Sequence, residues 1–157
     1  MKNDQDNIKL KFVTKAGETG ELDRILWEVL WKPFDLPRNI RNSFKLETES
    51  IELVAKQGSV IMGGLVANFL SAEEVELRHI AIEPTFRNRS VGTMLVRKLV
   101  EAAKRRGCLV IQVYARNTSI SFFSKLGFAP LKGKILEHPD FSKHGIAFQQ
   151  MQYAIKS

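Results

Sequence analysis

Cysteine is nearly absent: Cys108 is the single one in 157 residues, so neither an internal disulfide framework nor a cysteine-rich zinc site can be built. Long apolar runs are absent too, and none approaches the ~20 residues that a membrane span needs. The opening stretch, Met1 to Asn7, is polar and mixed in charge. It fits neither a signal peptide nor a transit peptide, and a disordered tail over residues 1–7 is expected. Histidine is scarce, and His138 and His144 lack the paired spacing of a metal site. These absences point to a metal-free cytoplasmic protein without a membrane anchor. What is present is 44% apolar and 26% charged residues, a soluble globular composition. The length suits one domain with a real core, 1–157, and is too short for two.

Acidic residues are outnumbered, 17 against 24 lysines and arginines, for a net charge of +7. The excess gathers between Pro84 and Arg116, where Arg87, Arg89, Arg97, Lys98, Lys104, Arg105, Arg106 and Arg116 face only Glu101. Such a stretch can be a solvated helix face, or it can meet nucleic acid, a membrane surface or a phosphorylated small molecule.

Periodicity supplies the elements. Ile8, Leu10 and Phe12 alternate with lysines as in a half-buried strand, and Leu22, Ile25, Leu26, Val29 and Leu30 share one helical face that Pro33 ends. Ile40 to Leu46 reads as a second short helix. Ile51–Lys56, Val60–Leu70 and Glu74–Ile82, joined by short polar turns, predict an antiparallel meander. Val91, Leu95, Leu99 and Ala102 then mark an amphipathic helix, with Ser90 as N-cap and Gly107 just past its end. A strand over Leu109–Tyr114, a helix over Thr118–Leu126 and a loop through Pro130, Gly133 and Pro139 follow. The last strand, Ile146–Ile155, changes apolar phase between Phe148 and Met151, which predicts a bulge there. Strand, helix, strand across Glu74–Tyr114 requires a parallel pair with a right-handed crossover. The expected fold is therefore mixed α+β, with a central mixed sheet, an antiparallel N-terminal meander and helices on both faces.

The segment Ile80-Ala81-Ile82-Glu83-Pro84-Thr85-Phe86-Arg87-Asn88-Arg89-Ser90-Val91-Gly92 carries chemistry. A strand ends, a proline turns the chain, and a helix starts with unpaired amides backed by two arginines. That is a place for phosphate or pyrophosphate, although an ordinary capped helix with basic neighbours has the same pattern.

This segment resembles the acetyl-CoA motif of the GNAT superfamily of N-acetyltransferases, Q/R-x-x-G-x-G/A, with Arg87, Ser90 and Gly92 at its marked positions. Ala115-Arg116-Asn117 and Phe122-Phe123-Ser124-Lys125-Leu126-Gly127-Phe128 are similar to the family's second half, and the likeness runs from about Ile51 to Met151. The resemblance implies a GNAT-like fold and acetyl-CoA as co-substrate. It further implies contacts from Ile80, Ala81, Ile82, Arg87, Asn88, Arg89, Ser90, Val91, Gly92, Thr93, Asn117 and Phe123, with pyrophosphate on the amides from Asn88 to Thr93. A backbone donor near Ile82 would meet the thioester oxygen.

Three positions depart from the pattern. Ser90 and Asn88 stand where glycine is common, yet both keep their backbone N–H. Phe123 stands where the family's tyrosine donates a proton to the departing thiolate, which phenylalanine cannot do. A histidine expected near the end is Phe148 instead.

Transfer to a lysine-like amine, neutral about once in 2,500 at pH 7, needs help worth ~4.6 kcal/mol. Glu76 occupies the strand position where the family often carries the base; the alternative is an exposed acid in the turn Glu73-Glu74-Val75-Glu76. Strict alternation sends His79 to the opposite face from Glu76 and Arg78, as a packed histidine. Cys108 reads as core. Trp27 and Trp31 read as a helix face, and Trp31, Phe34 and Leu36 are candidates to wall an acceptor pocket. The expected activity is acetyl-CoA-dependent transfer to a primary amine of a small molecule or an exposed protein amine, with a homodimer left open. A catalytically silent CoA-binding sensor and, more remotely, a nucleic-acid-binding domain are the alternatives.

Overall fold

The computed structural model describes residues 7–44 and 48–156, so the expected tail, residue 7 apart, lies outside the described residues. One seven-stranded sheet runs through them. Its strands are β1 (Ile8–Phe12), β2 (Ser50–Gln57), β3 (Val60–Phe69), β4 (Glu74–Ile82), β5 (Val110–Arg116), β6 (Ala129–Leu136) and β7 (Phe148–Ala154), in the order β1-β2-β3-β4-β5-β7-β6. All neighbours are antiparallel except β4 and β5, which α2 (Val91–Arg105) connects. The expected mixed sheet and its meander are present.

Period-two alternation splits the core between the two faces. Leu53, Leu65, Leu77 and Ile111 pack with Leu95, Leu99 and Ala103 of α2. Val54, Val66 and Ala81 pack with Leu22, Ile25 and Leu26 of α1 (Ala16–Leu26). Leu95 and Leu99 are fully enclosed, and burying each contributes about 1.5–3 kcal/mol. Gly64 lets α1 lie this close: a Cβ there would stand 2.6 Å from the Leu53 carbonyl and 2.7 Å from Leu22 Cδ1. No described helix is long and apolar enough to cross a membrane.

Several local expectations need correction. The first helix does not run on regularly to Leu30; a π turn spans Trp27–Trp31, closed by the Lys32 N–H on the Trp27 carbonyl. Of the short helix over 40–46, a 3-10 turn at Ile40–Ser43 is seen, and 45–47 lie outside the described residues. The helix over 118–126 is a 3-10 turn, Asn117–Ser119, followed by α3 (Ile120–Lys125). The loop through Pro130 and Gly133 contains an edge strand, β6, whose residues are nearly all exposed. An exposed edge strand has no apolar alternation to betray it, and an edge tolerates proline. The bulge expected in the last strand lies on β6 instead, between Pro130 and Ile135, while β7 pairs β5 without interruption. A short helix, α4 (Pro139–Ser142), precedes β7; its N-cap is His138, whose Nδ1 accepts from the Asp140 N–H.

Candidate active site

β4 and β5 begin as partners and end apart. Their pairing runs from Glu74↔Val110 to Leu77↔Val113 and stops, while β4 continues to Ile82 and β5 to Arg116. The wedge between the diverging ends leads into a cavity of about 350 Å³. Ligands in sheets of this kind bind where parallel strands part at their carboxyl ends.

A bulge in β4 decides which side chains reach the cavity. Val66 of β3 pairs His79 and Ala67 pairs Leu77, so Arg78 is an extra residue without its own partner. One added residue inverts the alternation beyond it. Glu76 and His79 therefore share a face, contrary to the expectation that His79 points away from Glu76, and both line the cavity. Glu76 is 8% exposed, which removes its reading as an exposed acid. Arg78 Nη1 lies 3.4 Å from its carboxylate. His79 stands edge-on to Trp31 at 5.1 Å between ring centroids, with Phe44 at 5.5 Å. Burial, reinforced by the charges of Arg78, Arg41 and Arg116, pushes its pKa down to about 3, so the imidazole is neutral at working pH.

Phe123 is both core and cavity wall. It is 3% exposed, packs against Phe122 and Phe128 at 5.0 and 5.3 Å, and lines the cavity with Tyr114 of β5. Of the three residues suggested for an acceptor pocket, only Trp31 faces the cavity. Phe34 stands behind the wall, edge-on to Phe141 at 5.4 Å, and the Leu36 carbonyl accepts the Trp27 indole N–H. Ile80 lines the cavity, whereas Ala81 is buried under α1. Asn117 spends its side-chain amide on Gly145 and Ala147, tying the end of β5 to the loop before β7.

Beside the wedge, the chain from β4 into α2 forms a shallow cradle. Asn88 and Ser90 both adopt left-handed backbone, at φ 65° and 62°. Alternating turns of this kind aim successive N–H groups into one concavity, a nest for an anion. Ser90 occupies the N-cap position, but its left-handed backbone departs from cap geometry and its side chain makes no capping bond. The serine is a turn residue, not the expected cap. Arg87 is exposed and pairs with no other described residue; the Arg89 guanidinium lies 5.7 Å from the Phe86 ring centre. Arg24 of α1 holds Glu83 at 2.9 Å, which pairs the carboxylate that precedes the cradle in the chain. Gly92 completes the join: a Cβ would meet the Phe122 ring at 3.2 Å, so cradle, Phe122 and Phe123 form one continuous contact.

A model of the acetyltransferase (GNAT) family matches residues 18–128. The chain belongs to the GNAT acetyltransferase family. An uncharacterised N-acetyltransferase of Methanocaldococcus jannaschii is 33% identical over 66 residues, 40% of this chain and 29% of its own length. An amino-acid acetyltransferase of Aeromonas salmonicida is 31% identical over 97 residues, 62% of this chain and 22% of its own. The chain thus spans less than a third of the curated relatives it matches. Among solved structures, a GNAT family acetyltransferase from Elizabethkingia anophelis with acetyl-CoA bound superposes with a TM-score of 0.74 at 16% identity, covering 95% of this chain and 99% of that one. The ribosomal-protein-S18-alanine N-acetyltransferase of Escherichia coli gives 0.77 at 16%, covering 96% and 95%. These two likenesses show the fold.

Within this GNAT fold, Arg78, His79, Tyr114, Arg116 and Phe141 line the cavity without having been expected there, and Phe148, at the position where a histidine was expected, lines it too. The bulge that turns His79 inward has no sequence signature. Arg116 is visible in the sequence as a charge in a basic stretch and within Ala115-Arg116-Asn117, and neither pattern says that it faces the cavity. Among the described residues no cluster of three or more potential metal ligands occurs.

Proposed function

We propose that this chain binds acetyl-CoA and transfers its acetyl group to a primary amine. The observation that carries the reading is the parting of β4 from β5 immediately beside the left-handed cradle at Asn88–Ser90. A pyrophosphate would rest on the amides from Asn88 to Thr93, with Arg87 and Arg89 flanking it. The pantetheine arm would run between the strand ends and offer its thioester at Ile80–Ile82. The amine nitrogen attacks the thioester carbon, the carbon–sulfur bond breaks, and CoA leaves as a thiolate. Glu76, buried in the cavity wall, takes the ammonium proton before attack, and the second N–H proton, shed as the amide forms, passes to solvent. Phe123 excludes water from the sulfur but gives it no proton, so the thiolate, with a pKa of only ~8.5, draws one from solvent. No metal enters these steps, and the acceptor is an amine of a small molecule or one exposed on a protein.

Phe123 also favours a second reading, a CoA-binding module without turnover. The two part on whether amines release free thiol from acetyl-CoA. For cofactor placement, calorimetry of acetyl-CoA with Arg87→Ala should show affinity about tenfold weaker, the worth of one charged hydrogen bond. Arg87 has no pairing with another described residue, so its loss leaves the fold intact. Unchanged affinity would remove the pyrophosphate from this turn.

A further inference from the structure

The cavity carries a charge imbalance that acetyl-CoA does not use. Among the described residues lining it, Glu76 is the only carboxylate, set against the guanidiniums of Arg78 and Arg116. Arg116 donates one N–H to the Leu30 carbonyl at 2.7 Å and lies 5.2 and 5.1 Å from the Phe34 and Phe141 ring centres. It has no carboxylate partner among the described residues, and a guanidinium offers five donors, most of them still open here. Arg78 Nε is buried without any hydrogen-bond partner, and its one carboxylate neighbour is the distant contact with Glu76. Arg116, half-buried, has no counter-ion among the described residues, which is costly, and a bound anion lowers that cost. The rings around Arg116 fix the plane of its guanidinium, as two-point recognition of a carboxylate requires. Desolvation lowers the Arg116 pKa only to about 10, so it stays charged, while His79 beside it stays neutral and does not compete for the anion.

We propose, resting on the acetyl-transfer role assigned above, that the acceptor is a free amino acid with an apolar side chain, whose carboxylate is held by Arg116 and Arg78 while its amine faces Glu76. Trp31, Phe44, Phe141 and Phe148 form the apolar wall that receives its side chain. A lysine on a protein surface offers no carboxylate to these arginines. The Arg116 contacts with Phe34 and Phe141 place it in the layer under α1 and α4, away from the α2 cradle, so the cofactor's phosphates do not serve it.

The test uses the reaction product as an unreactive probe. N-acetylphenylalanine and N-acetylphenylalaninamide differ only in the carboxylate, and each is titrated calorimetrically into the protein saturated with CoA. The acid should bind at least tenfold tighter than the amide. Arg116→Gln, and separately Arg78→Gln, should erase most of that difference while CoA affinity stays at the parent value. Equal affinity of acid and amide, or binding of neither, overturns the proposal even where both variants misfold, because that comparison needs only the parent protein. A chain that fails to bind CoA loses the transfer role and this acceptor together. A chain that binds CoA but treats acid and amide alike loses only the acceptor.

Discussion

Glu76 shows how position and environment separate at the scale of a single residue. Its place on the strand was legible from the sequence; its burial was not, because the Glu73–Glu76 run reads as a solvated turn. If Glu76 takes the ammonium proton, Glu76→Gln should lower turnover by about 10²–10⁴ at pH 7 and leave CoA affinity unchanged. The deficit should narrow as pH approaches the amine's own pKa, where substrate arrives neutral. Steady-state rates between pH 7 and 10 check this, and a loss below threefold at pH 7 would make Glu76 a packing residue. Phe123 was legible as a missing hydroxyl, and its burial beside Phe122 and Phe128 adds a structural duty. Under the transfer role, Phe123→Tyr should raise turnover, by up to ~10²-fold where proton donation limits the rate. A variant that only melts lower, by the ~1–3 kcal/mol of a buried unpaired hydroxyl, would confine Phe123 to the core.

Among the elements, those with a strong period were readable: β1, β4 and α2 begin where the apolar pattern starts, and Gly107 at φ 84° follows α2 as expected. What escaped was irregularity. The β4 bulge, the π turn at Trp27–Trp31 and the edge strand β6 have no repeating pattern, and each places at least one residue in the cavity wall. Trp31 illustrates the consequence: it stands buried beside His79, while its helical neighbour Trp27 turns to the Leu36 carbonyl. The cradle was legible as a motif and not as a shape, since asparagine tolerates positive φ but serine seldom takes it. The strain at Ser90 can be measured. Ser90→Gly should be neutral or stabilising by up to ~1 kcal/mol, relief of strain being partly offset by greater freedom in the unfolded chain. Ser90→Val, β-branched at φ 62°, should cost more than 1 kcal/mol. Urea midpoints of the two variants test this; matching midpoints would mean that the turn relaxes out of the left-handed region.

Across the whole molecule, one buried neutral imidazole and one paired carboxylate set the response to acid. His79 has a pKa of about 3 in the fold against an ordinary 6.5, so the unfolded chain binds the extra proton first. Its contribution is complete above pH 6.5 and is lost as pH falls toward 3, at up to ~1.4 kcal/mol per pH unit. Glu18 joins β1, α1 and β2 through Lys11 at 2.7 Å and Lys56 at 3.2 Å, and the Lys11 ammonium leads in holding its pKa near 2. That contribution is present above the ordinary value of 4.5 and lost as pH falls from there toward 2. Urea midpoints should therefore begin to drop below pH 6.5 and drop further below 4.5. His79→Phe should flatten the upper part of the decline, and an unchanged profile in that variant would mean that water already reaches the imidazole.

Amine-dependent release of free thiol from acetyl-CoA, with the acetylated product identified by its mass gain, tests the catalytic assignment most directly. Thiol release should depend on both chain and amine, be fastest with amino acids bearing apolar side chains, and fall at least a hundredfold in Glu76→Gln. Tight binding of acetyl-CoA with no amine-dependent thiol release across the amino acids and simple amines would contradict it, and would leave a CoA-binding protein with an empty catalytic role.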